Sequence, residues 1–244
     1  VAVNGDALQD YMFNSSPMFA VRNIVEFTEL MKAARLAQKD FDFDYVLNPL
    51  LIKSVVRAVN LLKEFERNDT VSYAVESYWS NVPYSHGLKA DGSPREIVKL
   101  KVSPCDPSSL KREASTGKAP DYLQKDIDQR AARGQVCMLL SAQLFDQKKI
   151  EGTGLHTGRK TSEWIENGGE LWDENILPFI PIAKLTITGD GADATTSSKR
   201  ISCDTFAIST LIHSQRGHQP LGSLARVRSI VEENSRARRM SEKN

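Results

Sequence analysis

Hydrophobic and polar positions repeat with different periods along the chain, and the periods divide it into elements. Within residues 25–37, Phe27, Leu30 and Met31 recur at helical spacing and are expected to face inward. The preceding residues 18–21 read as a strand, set off by the turn-forming cluster Asn14-Ser15-Ser16-Pro17. Residues 48–66 read as a core helix. Asn48 is a capping type, Pro49 suits the first helical position, and Leu51, Ile52, Val55, Val59 and Leu62 form one apolar stripe. A helical segment is thus expected over residues 23–66. Residues 70–102 read as sheet, because VSYAVESYWS is rich in aromatic and β-branched types. Asp91-Gly92 marks a hairpin turn, with Ile97, Leu100 and Val102 on the returning strand. His86 lies near that turn and reads as a surface residue. A loop over 103–117 is followed by a polar helix over 121–134 that stops at Gly134. Residues 136–145, VCMLLSAQLF, have the length and content of a buried strand. Residues 171–187 predict a loop and then a strand, with Ile180, Ile182, Leu185 and Ile187 as its apolar positions. Residues 188–199 form a polar loop. Near the end, Pro220 and Gly222 punctuate the chain and Ser223 is a capping type. Leu221, Leu224, Val227 and Val231 then define one face of a terminal helix.

Composition narrows the class. The chain has 244 residues, 40% hydrophobic and 26% charged, the profile of a soluble globular protein of one large or two small domains. A net charge of +1 implies no nucleic-acid partner. No apolar run approaches the roughly 20 residues that span a bilayer. The start, VAVNGDALQDYMF, lacks a charged and an apolar region of the kind a signal peptide needs, and it lacks an initiator Met. The expectation is a fragment or a processed form. Cys105, Cys137 and Cys203 are far apart and form no CxxC, so neither a zinc site nor a disulfide framework is expected, and a reducing, cytoplasmic location is favoured. Residues 151–170 hold five of the fourteen glycines but complete no GxxxxGK[ST], which argues against a nucleotide site. From His218 onward five arginines and Lys243 face three glutamates. That composition fits a solvated basic face or an anion-holding helix, and does not choose between them.

Three ordered sets of residues resemble the catalase superfamily. Asn14, Pro17, Phe19, Arg22 and Phe27 match, without a gap, a catalase segment of Asn-rich turn, Pro, aromatic, Arg and a later Phe. Ala20 and Asn23 depart from it, standing where the family has a second aromatic and an aspartate. Trp172, Pro178, Phe179, Pro181, Ala183, Leu185 and Thr186 are similar to the family's Trp-Pro-Glu-Asp and Pro-aromatic-Val-Pro-Val-Ala-Arg-Leu-Thr-Ile. His218, Pro220, Leu221 and Gly222 resemble the His-Arg-Pro-Leu-Gly element that leads into an arginine-rich helix in small catalase-related haem proteins. A glutamine similar to Gln143 occurs on a family strand, whereas only His213 remains of the family's Asn-Pro-Trp-His.

The resemblance implies one α+β domain over 1–244, a catalase-like antiparallel β-barrel with a helical insertion and C-terminal helices. It implies that the N-terminal part is lacking and that 151–170 is an insertion loop. The implied cofactor is haem, and the implied partners are haem and hydrogen peroxide or an organic hydroperoxide; a homo-oligomer stays open. By similarity, Asn14 faces peroxide, Phe19 and Phe27 border the porphyrin with Phe27 stacked on it, and Arg228 and Arg239 stand near the iron ligand and the propionates. The family's ligand is a tyrosine, whose phenolate pushes electron density onto iron and is kept ionised by a neighbouring arginine. Here Glu232 stands at that position as the implied metal ligand. Tyr11, Tyr45, Tyr73, Tyr78, Tyr84 and Tyr122 are all the tyrosines, so none lies on the terminal helix in any register. The distal histidine precedes the Tyr11 segment in the family, and residues 1–10 contain no histidine. Arg228 and Glu232 are one helical turn apart, so an arginine pair competes with a metal for the carboxylate. Three readings follow: a haem-binding catalase- or peroxidase-like domain, a degenerate scaffold without haem that serves as a binding or interaction protein, or an unrelated enzyme or binder, since fold analogy does not carry function. In the first two, Asn14, Phe19 and Phe27 are expected on one wall of a pocket opposite the terminal helix.

Overall fold

The computed structural model describes residues 2–3, 7–9, 11–37, 52–53, 56–57, 59–60, 63, 72–106, 121–134, 136–154, 158–187 and 217–241. In chain order the elements are β1 (Ala2–Val3), β2 (Ala7–Leu8), α1 (Ile24–Ala37), β3 (Tyr78–Trp79), β4 (Tyr84–Leu88), β5 (Pro94–Pro104), α2 (Tyr122–Ala132), β6 (Val136–Leu144), α3 (Gln147–Glu151), α4 (Thr161–Glu166), β7 (Phe179–Ile187) and α5 (Ser223–Ser241). The mixture of helix and antiparallel sheet is the one expected. The spans expected at 48–66, 103–117 and 188–199, and also His213, lie wholly or partly outside the described residues.

The sheet is built on β5, the longest strand. β3 and β4 both pair with one of its edges, β6 pairs with the other, and β7 continues beyond β6, every pair antiparallel. β5 can serve this way because its side chains alternate. Val98 and Leu100 lie opposite Leu144 and Ala142, while Lys99 and Lys101 lie opposite Gln143 and Ser141. Val98, Leu100 and Ala142 join Val21, Val82, Tyr84, Leu224 and Ala225 in the main core, whereas Leu144 at the strand end is exposed. On the other face Ile150, Trp164, Trp172 and Leu177 form a second core, against which Ile97 and Phe145 pack. Gln143 is buried there and donates to the carbonyls of Trp172 and Leu177 at 2.9 and 2.7 Å, tying the loop before β7 to β6. The hairpin at Asp91-Gly92 forms as expected. Gly92 sits at φ +80°, and the Ser93 N–H donates to Asp91 Oδ1.

Several expectations need correction. The described strands make an open sheet, not a closed barrel. Ile180, Ile182, Leu185 and Ile187 on its β7 edge are 40–58% exposed, because no described element covers that end of the face. Residues 18–21 are bends, not a strand, since their backbone groups serve a loop rather than a sheet neighbour. Met31, Ile52 and Val59 are exposed; among its described side chains, Ile24, Phe27 and Leu30 are those by which α1 packs against the core. The 151–170 stretch is not merely a loop, for it contains α4 and the core residue Trp164. No described helix is long and apolar enough to cross a membrane.

The thiols also differ from expectation: Cys105 and Cys137 form a disulfide with Cα atoms 5.4 Å apart. The reason is register. Pro104 faces Met138, and the next pair along the ladder is Cys105 with Cys137, whose carbonyl accepts the Cys105 N–H at 3.0 Å. The 32-residue separation hides this in the sequence. Opening a loop of that size should cost about 2–4 kcal/mol, so Cys137→Ser is expected to lower the urea midpoint accordingly.

Lys99 is buried at the second face, with its ammonium donating to the Glu170 carbonyl at 2.9 Å and lying 4.8 Å above the Trp172 ring. Burial pulls its pKa down to about 8, against the opposing pull of the Glu170 carboxylate. Between that value and the ordinary lysine value the unfolded chain binds a proton that the folded chain has released, so stability rises with pH through this window. Below it both states are protonated and the folded state carries the whole cost of burial. Chemical denaturation from pH 7 to 10.5 should show a rise of roughly 3 kcal/mol at most from this group, and Lys99→Met should remove it.

Candidate functional site

The strap of residues 11–27 lies against the sheet and leads into α1. Asn14 pairs by backbone with Trp79 at 3.0 and 2.8 Å, and its Oδ1 accepts the Ser16 N–H at 2.9 Å. Asn81, at φ +47°, reaches the Ser16 carbonyl with its amide at 2.6 Å and holds the turn from below. Further on, the Phe19 N–H donates to the Gly168 carbonyl at 2.8 Å and the Gly168 N–H donates to the Arg22 carbonyl at 2.7 Å. The Gly168 Cα faces Leu224, Phe19 and Val21, where an added Cβ would stand 3.4 Å from their atoms, so strap, loop and helix meet at this residue. Asn23 caps α1 by accepting the Glu26 N–H at 3.1 Å, while buried Glu26 pairs with Arg22 and stands 3.7 Å from Arg57.

Helix α5 is placed from outside itself. Gly222 has φ +88°, and a Cβ there would meet the Ile165 carbonyl oxygen at 3.0 Å. Ser223 is therefore the first helical residue and not the cap, a correction to the sequence expectation. The cap is the Glu166 carboxylate of α4, which accepts the Ser223 N–H at 2.9 Å and the Ser223 hydroxyl at 2.5 Å. A carboxylate there also meets the positive end of the helix dipole. Leu224 and Ala225 are buried as the apolar face requires, but Val231 is 57% exposed, because the helix runs past the core.

These two elements bring together part of the expected site. The Arg228 guanidinium lies 5.3 Å from the centre of the Phe19 ring and 4.0 Å from Met12 Sδ. Phe27 is tilted against Phe19 with ring centres 6.3 Å apart. Asn14 is on the same strap, with its side-chain oxygen engaged in its own turn. Glu232 and Arg239 lie on α5 beyond Arg228, and their side chains lie outside the described residues. Among the described residues no group of three His, Cys, Asp or Glu could hold a metal ion.

A second concavity, of about 350 Å³, opens on the apolar face toward β7. It arises because residues 217–221 run along the free edge of β4. The N–H groups of Ser85, Gly87 and Leu221 donate to the carbonyls of Gln219, Gly217 and Pro83 at 2.8–2.9 Å. This places His218 beside His86, edge to face with ring centres 5.3 Å apart. Register puts Glu96 directly opposite His86. Burial, and then His86, hold the His218 imidazole below its ordinary pKa. Tyr11 packs edge-on against Tyr84 at 5.2 Å, and burial pushes its phenol pKa up. His86 is exposed, as the sequence reading had it, and the strand register that aligns it with Glu96 also sets it among the residues lining this cavity.

The fold, taken as a whole, is similar to that of solved catalases. The chain is similar to a fungal catalase (TM-score 0.60, 15% identity, over 92% of this chain and 43% of that one). It is similar to catalase A from Saccharomyces cerevisiae (TM-score 0.60, 15% identity, 92% and 45%). It is also similar to a bacterial catalase (TM-score 0.58, 12% identity, over 92% of this chain). The fold is catalase-like. The chain spans less than half the length of these catalases. No family model and no curated protein matches it by sequence.

Because α5 owes its start to Glu166, Glu166→Ala should destabilise the fold by about 1 kcal/mol, read as a lowered melting temperature. Glu166→Gln, which keeps an acceptor but removes the charge, should lose less.

Proposed function

We propose that this chain is a catalase-type scaffold that does not run haem chemistry and acts as a ligand-binding protein. The observation that carries this reading is the distance between the two walls on which haem would be expected. Carbon atoms in van der Waals contact are roughly 3.5–4 Å apart, so a flat macrocycle touching both walls needs about 7 Å between them. Phe19 and Arg228 are 5.3 Å apart and occupy each other. Two features support the same conclusion. Helix α5 has no tyrosine to supply a phenolate, and the carboxylate of Glu232 is a weaker electron donor. Asn14, the residue implied to face peroxide, uses its side-chain oxygen to close a turn.

A haem-dependent reading, acting on hydrogen peroxide or an organic hydroperoxide, is favoured by the approach of Phe19, Phe27 and Arg228 to one core within a catalase-like fold. One titration separates the two. Haemin added to the purified chain should give no stoichiometric Soret shift. Tight one-to-one binding by wild type, with oxygen release from peroxide, would overturn the proposal.

A further inference from the structure

We infer that the 350 Å³ cavity between β4–β7 and residues 217–221 binds a neutral amphiphile, an apolar body of about ten carbons ending in a hydroxyl group. The inference deepens the ligand-binding reading and rests on it, but it requires nothing of haem.

The wall of the cavity is divided. Val98, Leu100 and Ala142 form the floor, and Ile180 and Ile182 form the side toward β7. Ile180 and Ile182 are 51% and 58% exposed, apolar surface that an apolar body would cover. The polar groups gather at one end, where His86, Glu96 and His218 meet. The volume lies in the range of small-molecule sites, and a mostly apolar wall with a few convergent polar groups is their usual make-up.

The polar end selects the head group. A neutral imidazole presents one N–H donor and one nitrogen acceptor. Burial beside His86 keeps His218 in that neutral form. A hydroxyl, which also both donates and accepts, matches it. A carboxylate head finds no cation among these three side chains and meets the Glu96 charge opposite His86. An ammonium head could pair with Glu96 but offers no acceptor to the imidazole N–H.

The probes are 1-decanol, decanoate and decylammonium, titrated calorimetrically into the intact chain at pH 8. One-to-one saturable binding of 1-decanol is expected, at least tenfold tighter than either charged probe. Ile182→Glu, at an exposed position the fold tolerates, should weaken 1-decanol at least tenfold with an unchanged circular dichroism spectrum. His218→Phe should bring 1-decanol and decanoate to within threefold of each other. Absence of saturable 1-decanol binding by folded wild type would overturn the assignment. So would equal or tighter binding of either charged probe, or undiminished binding by Ile182→Glu. Failure here with no haemin uptake sinks the ligand class alone, whereas haemin uptake with 1-decanol binding sinks the non-haem reading alone.

Discussion

The antiparallel register between β5 and β6 is the constraint from which the rest follows. With Leu100 opposite Ala142 and Lys99 opposite Gln143, apolar side chains share one face and long polar ones the other. Slipping by one residue would turn each of them to the opposite face. The same register brings Cys105 and Cys137 into bonding range, so the disulfide sits at the end of the ladder that it helps to hold.

Each face then receives a different kind of partner. The apolar face takes the strap of residues 11–27 and the first turns of α5, and Gly168 joins the strap through its backbone, accepting from the Phe19 N–H and donating to the Arg22 carbonyl. The other face accommodates charge within a core. Lys99 and Gln143 each satisfy buried backbone carbonyls of the segment leading to β7, at a cost in desolvation that the hydrogen bonds offset. The Gly-rich 151–170 stretch links the faces. It supplies Trp164 to one core and the Glu166 cap to the helix that borders the other.

A catalase-like arrangement of strap, sheet and terminal helix recurs at 12–15% identity, because burial pattern and register tolerate wide substitution. A haem site tolerates much less, since it needs a donor of the right basicity and a slot of the right width. In this chain the Arg228 guanidinium lies 5.3 Å from the centre of the Phe19 ring.

Local pattern in the sequence was sufficient for α1, α2, the Asp91-Gly92 hairpin, β6, β7 and α5, because each depends on periodicity and turn chemistry within a dozen residues. Periodicity alone did not single out Phe19 or Arg228, which the resemblance to catalases did and which lie 5.3 Å apart. It misjudged which apolar side chains are covered, as at Met31, Val231 and the β7 isoleucines, because periodicity defines a face without saying what lies over it. Ser223 had the chemistry of a cap, yet the cap came from Glu166, 57 residues away. The Cys105–Cys137 bond and the meeting of His86, Glu96 and His218 are likewise products of strand pairing between distant segments. Such contacts depend on register and on the path of the chain between them, and only the tertiary structure decides those.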